Sequence, residues 1–581
     1  MKVSDYIVKY LVQNGIDKVF GYIGGNNAHI LDSVDKNNKI EFVNSRHEQG
    51  SGFAAEGYAR VTSKTGVASV TSGPGGTNLV TPISSCFLDS VPSLFIVGDV
   101  NSSEHNPDSR MRQIGFQDID IVSMVKPITK YSVFVEKLSE LRYELEKAYY
   151  FTQEGRAGPV LISIPVDFQY QENYKPEQEN SFFDSEEYQK IEQNFEINEQ
   201  DVNKVIKLIN EAQRPVILVG NGVRLANAQL ELREFIEKSN IPLVHSLMGK
   251  DVIETDYLYN LGFIGRWGNR YGNLTLANSD LIILLGSRVD TLQTGKNTKS
   301  FVKNKKIIQI DIDKYELGER IDVDLPILGD VKLFLKKLNF KNIDINIKAW
   351  HSKVLSYKKS YPHQYEIDKC NKIGNQIVAL ISNSSKENDI FTVDVGEHQM
   401  VSAQALQVKK GQRILFTGGL GSMGFSIPSA IGSTLGTGNR AIVIVGDGGI
   451  QMNIQELEVI YSRNLPIKIF IFNNASLYMV TMIQDSFLEG RHIATKEDYS
   501  APNFKKIGES YGIKSYQVSK MNEIEETIKI CMKNNNPELI EIKLLGEDMK
   551  VSPRLDYSRA YADMSPYLDR DKYRKMMIIK S

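Results

Sequence analysis

Residues 445–474 read VGDGGIQMNIQELEVIYSRNLPIKIFIFNN. The stretch leaves an apolar run, turns through Gly446-Asp447-Gly448, passes through a helical period and enters a second apolar run that stops at Asn473-Asn474. Two such runs joined by a helix form a parallel βαβ unit whose strands are buried on both faces. The glycines let the backbone come close to a phosphate, and the following helix turns its N-terminal N–H groups toward it. Asp447 and Asn474 then stand at the carboxyl ends of two strands, where open α/β sheets hold ligands. A carboxylate and an amide carbonyl are hard oxygen donors, suited to Mg²⁺ or Ca²⁺ bridged to a diphosphate. A lone Gly-Asp-Gly would serve equally as a tight turn; the second signature 24 residues further on makes the pattern specific.

The same alternation runs through the rest of the chain. DIFTVDVG, RAIVIVGDG and IKIFIFNN place an α/β domain over residues 371–545, and PVILVGNG, DLIILLGSR and KIIQIDID place another over 196–340. GVASVTS, PSLFIVGD and GPVLISIPVD place a third over 1–170. The expected fold is α/β, with three doubly wound, mainly parallel-sheet domains in series. Residues 171–195, acidic and without apolar period, and the Lys- and Tyr-rich 341–370 read as linkers. Residues 546–581 read as a mobile tail or as an active-site lid. No internal repeat is visible.

At 581 residues the chain is too long for one core, and 41% hydrophobic with 24% charged residues is a globular composition. No apolar run reaches membrane-spanning length, and the N-terminal MKVSDYIVKYLVQNG is a first helix rather than a signal peptide, so no membrane association and a cytoplasmic location are expected. A net charge of −2 with interspersed signs gives no field to gather nucleic acid. Cys86, Cys370 and Cys531 show neither zinc spacing nor a disulfide framework, and read as core or incidental thiols.

The complete spacing resembles the thiamine diphosphate (ThDP) fingerprint. FGYIGGNN, RHEQGSGFAAEGYAR, TSGPGGTNLVT, GFQDIDIVSMVKPITKYS, LVGNGVRLANA, DVGEHQM and GLGSMGFSIPSAIG, in that order, resemble the catalytic (large) subunit of the acetolactate synthase family. The resemblance implies a pyrimidine-binding first domain, a central domain and a diphosphate-binding third domain. It implies ThDP with Mg²⁺, the ion held by the Asp447 carboxylate, the Asn474 side chain and the Ser476 carbonyl. Glu48, on its own a helix-start glutamate fit for capping or an ion pair, becomes the acid at the pyrimidine ring that promotes loss of the thiazolium proton. Phe116 and Gln117 line the substrate pocket. Gly396, His398, Gly421, Gly448, Gly449 and Met479 hold the cofactor, and Met423, otherwise a core methionine, is the wedge that bends it. Residues matching Glu48 and Asp447 sit in different domains of such enzymes, so the site is expected between subunits of a homodimer or homotetramer. GNGVRLANA and DLIILLGSRVDTLQTG match segments that cradle FAD, with Arg288 as a polar contact; a ligand-free structural domain is the alternative.

The activity implied is decarboxylation of pyruvate and transfer of its two-carbon unit to an acceptor carbonyl. The acceptor side departs from the family. The arginine expected four residues after Arg288 is Leu292, the lysine of the IPxD motif is Val166, and the tryptophan that favours larger oxo acids is Ile483. A bidentate Arg–carboxylate contact is worth roughly 1.5–3 kcal/mol, so Leu292 points to an acceptor without a carboxylate. The ending DYSRAYADMSPYLDRDKYRKM resembles relatives that act on a nucleotide-linked keto-deoxysugar. A 2-oxo acid acceptor, as in a genuine acetolactate synthase, and a pyruvate oxidase-type flavoenzyme are the alternatives. Arg266 and Trp267, where the family has a Met-His pair, either face the acceptor or pack at the surface.

Overall fold

The computed structural model describes residues 1–105, 110–191, 195–362, 373–556 and 559–579; Cys370 lies outside them. The first domain contains β1 (Lys18–Gly21), β2 (Glu41–Asn44), β3 (Gly66–Thr71), β4 (Ser93–Asp99), β5 (Tyr131–Phe134) and β6 (Pro159–Pro165), all parallel in the order β2-β1-β3-β4-β6-β5. The central domain contains β7 (Pro215–Val219), β8 (Leu243–His245), β9 (Asn260–Phe263), β10 (Leu281–Leu285), β11 (Lys306–Asp311) and β12 (Leu325–Leu328), parallel in the order β9-β8-β7-β10-β11-β12. The third contains β13 (Ile390–Val393), β14 (Arg413–Phe416), β15 (Ala441–Gly446), β16 (Ile467–Asn473), β17 (Lys514–Val518) and β18 (Glu538–Lys543), parallel in the order β14-β13-β15-β16-β18-β17.

Each run quoted from the sequence as a strand becomes one. They are the apolar runs that parallel pairing and covering helices bury on both faces; β15, for example, is buried from Ala441 to Val445. The first and third sheets share one strand order, 2-1-3-4-6-5, although no repeat is visible in the residues. The duplication lives in topology, which tolerates any apolar side chain of suitable size. Each sheet has a switch point: between β1 and β3, between β7 and β10, and between β13 and β15.

The first and third domains meet through the helices Glu48–Thr62 and Ser426–Thr437. A Cβ on Gly432 would stand 1.8 Å from the Ala54 carbonyl oxygen, and one on Gly57 2.2 Å from that of Ser429. Only glycine permits this approach.

The segments expected as linkers and tail are docked rather than free. Phe182 is fully buried against Tyr143 and Tyr150, and the Phe182 N–H and Ser181 hydroxyl donate to Glu146. The helix Lys348–Ser360 sends Trp350, Val354 and Tyr357 into the central core, and Trp350 Nε1 donates to the Pro215 carbonyl at 3.0 Å. Beyond residue 546, β19 (Arg554–Leu555) pairs antiparallel with β20 (Met564–Ser565), and Arg270 donates to the carbonyls of Met564 and Pro566. The Tyr357 hydroxyl donates to the Met576 carbonyl at 2.6 Å. A mobile tail is thus the wrong reading of its described residues: its aromatic and sulfur side chains bury without any helical period to announce them. Among the described residues no helix is long and apolar enough to cross a membrane; Cys86 and Cys531 are buried free thiols.

Candidate active site

In the third domain, Gly446 pairs with Phe472 in the β15–β16 register. Asp447 and Asn474 therefore leave the sheet side by side at its carboxyl edge. They open a cavity of about 290 Å³ next to the β13/β15 switch point. From the end of β13 come Gly396 and His398, and from the loop before the Ser426–Thr437 helix come Gly421 and Met423. Asp447, Gly448 and Gly449 follow β15; Asn474, Ser476 and Met479 follow β16. Ten of the residues singled out from the sequence thus surround one space.

The glycines have steric reasons to be there. Gly396 has φ +140°, and a Cβ on Gly448 would meet Leu477 at 2.7 Å and Met423 at 3.1 Å. Asp447 accepts from the Gly448 N–H at 3.1 Å through Oδ1, whereas its buried Oδ2 has no hydrogen-bond partner. Burial pushes the Asp447 carboxyl up to about 6 and pulls buried His398 down to about 4. At neutral pH Asp447 is therefore an anion with an unused oxygen, and His398 is neutral with its Nε2 unpartnered. Asn474 Oδ1 accepts from the Ser476 N–H at 3.2 Å, which fixes the turn presenting both residues.

Sequence reasoning missed several participants. Asp394, fully buried after β13, accepts from the N–H groups of Gly424 (2.7 Å) and Ser426 (2.8 Å) and lies against Gly449. Its signal was an aspartate at a strand's carboxyl end within DVGEHQM, the same kind of position as Asp447. The Tyr499 hydroxyl stands beside Gly448. Met549 closes one side of the cavity, and the Val551 N–H donates to Glu397 Oε1 at 3.2 Å, so the start of the C-terminal segment forms part of the wall. No local pattern marked either.

A second cluster forms on the first domain. Glu48 begins the helix after β2, where the His47 side chain caps the Gln49 N–H at 3.1 Å. Its Oε2 accepts from Asn78 Nδ2 at 3.0 Å, and Gly75 lies against Oε1. Gly73, at φ +62°, packs on Gln117, itself at φ +68°, and the adjacent Phe116 ring is 86% exposed. The loop 71–78 thus ties Glu48 to Phe116 and Gln117. None of the three lines the cavity of the third domain in this chain.

A third space lies where the domains meet. A cavity of about 120 Å³ shares Arg156, Asn221, Gly222 and Gly286 as lining residues with a neighbouring groove of about 500 Å³. Arg288 lines it and donates to the Leu88 carbonyl at 3.1 Å. Arg156 pairs with Asp313 and Glu316, each at 2.9 Å, and burial raises Asp311 to about 6. Leu292, Arg266 and Trp267 line the same cavity, so the last two face an interior space rather than the outer surface. Val166 starts the short helix after β6, and Ile483 lies 54% exposed on the Tyr478–Phe487 helix that carries Met479.

Three family models match the chain in series. Residues 1–124 match the thiamine pyrophosphate enzyme N-terminal TPP binding domain, 202–338 the central domain and 394–542 the C-terminal TPP binding domain. A protein of Methanococcus aeolicus described as a probable acetolactate synthase large subunit is 35% identical, the match covering 94% of this chain and 92% of that protein. The acetolactate synthase large subunit of Lactococcus lactis is 34% identical over 95% and 94%, and that of Corynebacterium glutamicum 34% over 97% and 91%. With a parallel sheet behind each matched domain and the cavity at the ends of β13, β15 and β16, the chain belongs to the ThDP-dependent enzymes of the acetolactate synthase large-subunit family.

Proposed function

We propose that this carboligase is an acetolactate synthase, joining the two-carbon unit of pyruvate to the keto carbon of a second 2-oxo acid. The observation that carries the reading is the pairing of Asp447, with its unpartnered buried Oδ2, and Asn474 at adjacent strand ends. Those oxygens, with the Ser476 carbonyl, suit Mg²⁺, which takes one or two carboxylates and completes its shell with phosphate oxygens and water. Among the described residues no group of three or more His, Cys, Asp or Glu side chains could hold a metal. Gly448, Gly449, Met423 and Met479 line the cavity that the diphosphate and the rest of the cofactor would enter. ThDP held there would supply a nucleophilic carbon and an electron sink for decarboxylation of a 2-oxo acid.

Glu48 is the carboxyl that would face the pyrimidine end of the cofactor. Because it, Phe116 and Gln117 do not line the cavity within one subunit, they belong to a site closed by a partner subunit, with a homodimer as the minimum and a homotetramer compatible. The 86% exposure of Phe116 fits a surface awaiting cover. The central strand order, equivalent to 3-2-1-4-5-6, is that of dinucleotide-binding sheets. Gly220 and Gly286 follow β7 and β10 at its switch point and pack so closely that a Cβ on Gly220 would meet the Gly286 carbonyl at 2.0 Å. These features support FAD in the interdomain groove beside Arg288.

The keto-sugar acceptor expected from Leu292 and the C-terminal segment gives way to a 2-oxo acid. The relatives named acetolactate synthase match over nearly the whole chain, and the cavity at Leu292 is still lined by arginines. The test is incubation with ThDP, Mg²⁺ and pyruvate. Acetolactate that disappears in Glu48→Gln is expected. CO₂ release with little acetolactate would return the keto sugar, and pyruvate-dependent oxygen uptake would favour the oxidase.

A further inference from the structure

We infer that His105 is a positioning residue for substrate recognition: by holding Asp118, it fixes the neighbouring Gln117 and Phe116 in the place from which they meet pyruvate. This rests on the reading that Phe116 and Gln117 line the substrate pocket. A left-handed backbone at a non-glycine residue is costly and persists only where its surroundings impose it. Gln117, at φ +68°, is such a residue, so contacts on both sides must hold it.

On one side is Gly73, where a Cβ would stand 2.9 Å from that of Gln117. On the other is Asp118. His105 Nδ1 lies 3.0 Å from Asp118 Oδ1, with only 10% and 11% of the two side chains exposed. Facing a carboxylate oxygen, Nδ1 is the nitrogen that bears the proton, and the bond is charge-assisted. The Asp118 N–H donates to the Gly115 carbonyl at 3.2 Å, and the Asp118 carbonyl accepts from Gln113 Nε2 at 3.2 Å. Asp118 therefore gathers the turn of residues 113–118, and His105 grips it from outside that turn.

His105 is itself anchored to the first sheet. Its ring stacks on Phe134 of β5, with centroids 3.9 Å apart and planes 22° from parallel. The residues just before it, which follow β4, are tied to the segment after β6: the Ser102 N–H and hydroxyl donate to Asp167 at 2.8 and 2.7 Å. Glu104 Oε2 accepts from the Asn101 N–H at 3.1 Å and from its Nδ2 at 2.8 Å, which sets the turn leading into His105. The carboxyl edge of the sheet thereby reaches Asp118 through one imidazole. Phe116 is 86% exposed, so little packing is left to place it and the polar contacts carry that task.

The experiment measures kcat and KM for pyruvate by CO₂ release, and ThDP affinity separately by tryptophan fluorescence, in wild type, His105→Phe, His105→Asn, Gln117→Ala and Phe116→Ala. His105→Phe keeps a ring on Phe134 and removes the bond; His105→Asn keeps a donor near the place of Nδ1 and removes the ring. His105→Phe is expected to lower kcat/KM for pyruvate about ten- to a hundredfold. The change falls mainly on KM, because a misplaced contact weakens ground state and transition state alike. The ThDP dissociation constant changes less than about twofold, since the cavity at Asp447 is untouched. His105→Asn recovers most of the loss and secures the comparison should the phenylalanine variant fold poorly. Because His105 acts through its neighbours, His105→Phe combined with Gln117→Ala falls well short of the product of the two single losses. Unchanged kcat/KM in His105→Phe, a parallel loss of ThDP affinity, or fully multiplicative losses overturn the assignment. Unchanged pyruvate kinetics in both Gln117→Ala and Phe116→Ala instead overturn the reading of those two as substrate residues, and this assignment with it.

Discussion

Asp394→Asn is the substitution whose consequence the structure makes most calculable. The carboxylate is fully buried, accepts from the backbone N–H groups of Gly424 and Ser426 at 2.7 and 2.8 Å, and would lie 2.3 Å from a Cβ on Gly449. It therefore clamps the loop carrying Gly421 and Met423 against the turn carrying Asp447. Asparagine has the same shape but one acceptor oxygen, and its amide would face a backbone N–H. Losing one charge-assisted bond costs roughly 1.5–3 kcal/mol and stranding the donor about 1–3 more, with overlap between the two, so about 2–4 kcal/mol is expected in all. Expressed at the site, this lowers ThDP affinity about 30- to 700-fold. Titration with ThDP at fixed Mg²⁺ and pH 8, above the value of about 6 to which burial raises Asp394, reads the affinity through tryptophan fluorescence. Thermal unfolding of the cofactor-free protein reads any part of the loss that spreads to the fold. A dissociation constant within about threefold of wild type, together with an unchanged Tm, would refute the clamp.

If the site is closed by a partner subunit, Glu48→Gln and Asp447→Asn are each inactive alone, yet their coexpression restores about a quarter of wild-type activity, because random pairing gives half heterodimers with one intact site each; no recovery would place both residues in one subunit's site. Gly432→Ala should destabilise by about 1–3 kcal/mol or more, since its Cβ must displace the Ala54 carbonyl. Gly25→Ala, which meets nothing within 4 Å, is the control, and a similar Tm for both would contradict the crossing. Burial pushes Glu56 from about 4.5 to about 7 against the opposing pull of Arg60. The folded state then binds the proton more tightly than the unfolded one, so this group's contribution to stability is full below about pH 4.5 and is lost as pH rises to about 7. Denaturant titrations at pH 5 and 8 should show a smaller decline in Glu56→Gln than in wild type.

The strands legible in the sequence are instructive about which information is local. In each sheet the three runs quoted are contiguous: β3-β4-β6, β10-β7 with β11, and β13-β15-β16. These are buried on both faces, so their side chains are mostly apolar and a single chain reveals them. The others escape because their patterns are short or mixed. β8 has three residues, β17 is partly exposed, and β18 buries Glu538 and Glu541, which read as polar until their partners Lys468 and Asn473 are seen. The docked helix Lys348–Ser360 was hidden for the same reason, its buried Trp350 and Tyr357 lying among lysines.

What the residues determined alone was the three-domain α/β architecture and the pair Asp447 and Asn474, because glycines at strand ends and oxygen donors 27 residues apart carry their constraint in the backbone itself, while the other groups around the third-domain cavity came from the family resemblance. What only the tertiary structure decided was everything requiring two distant segments to meet. Asp394 clamps two loops, Met549 returns from the C-terminal segment to wall the cavity, and a glycine at 265 brings Arg266 against the carbonyl of Leu292. Read along the chain, Leu292 is a cation lost; in space it stands beside an arginine, since proximity is set by packing and not by position in sequence.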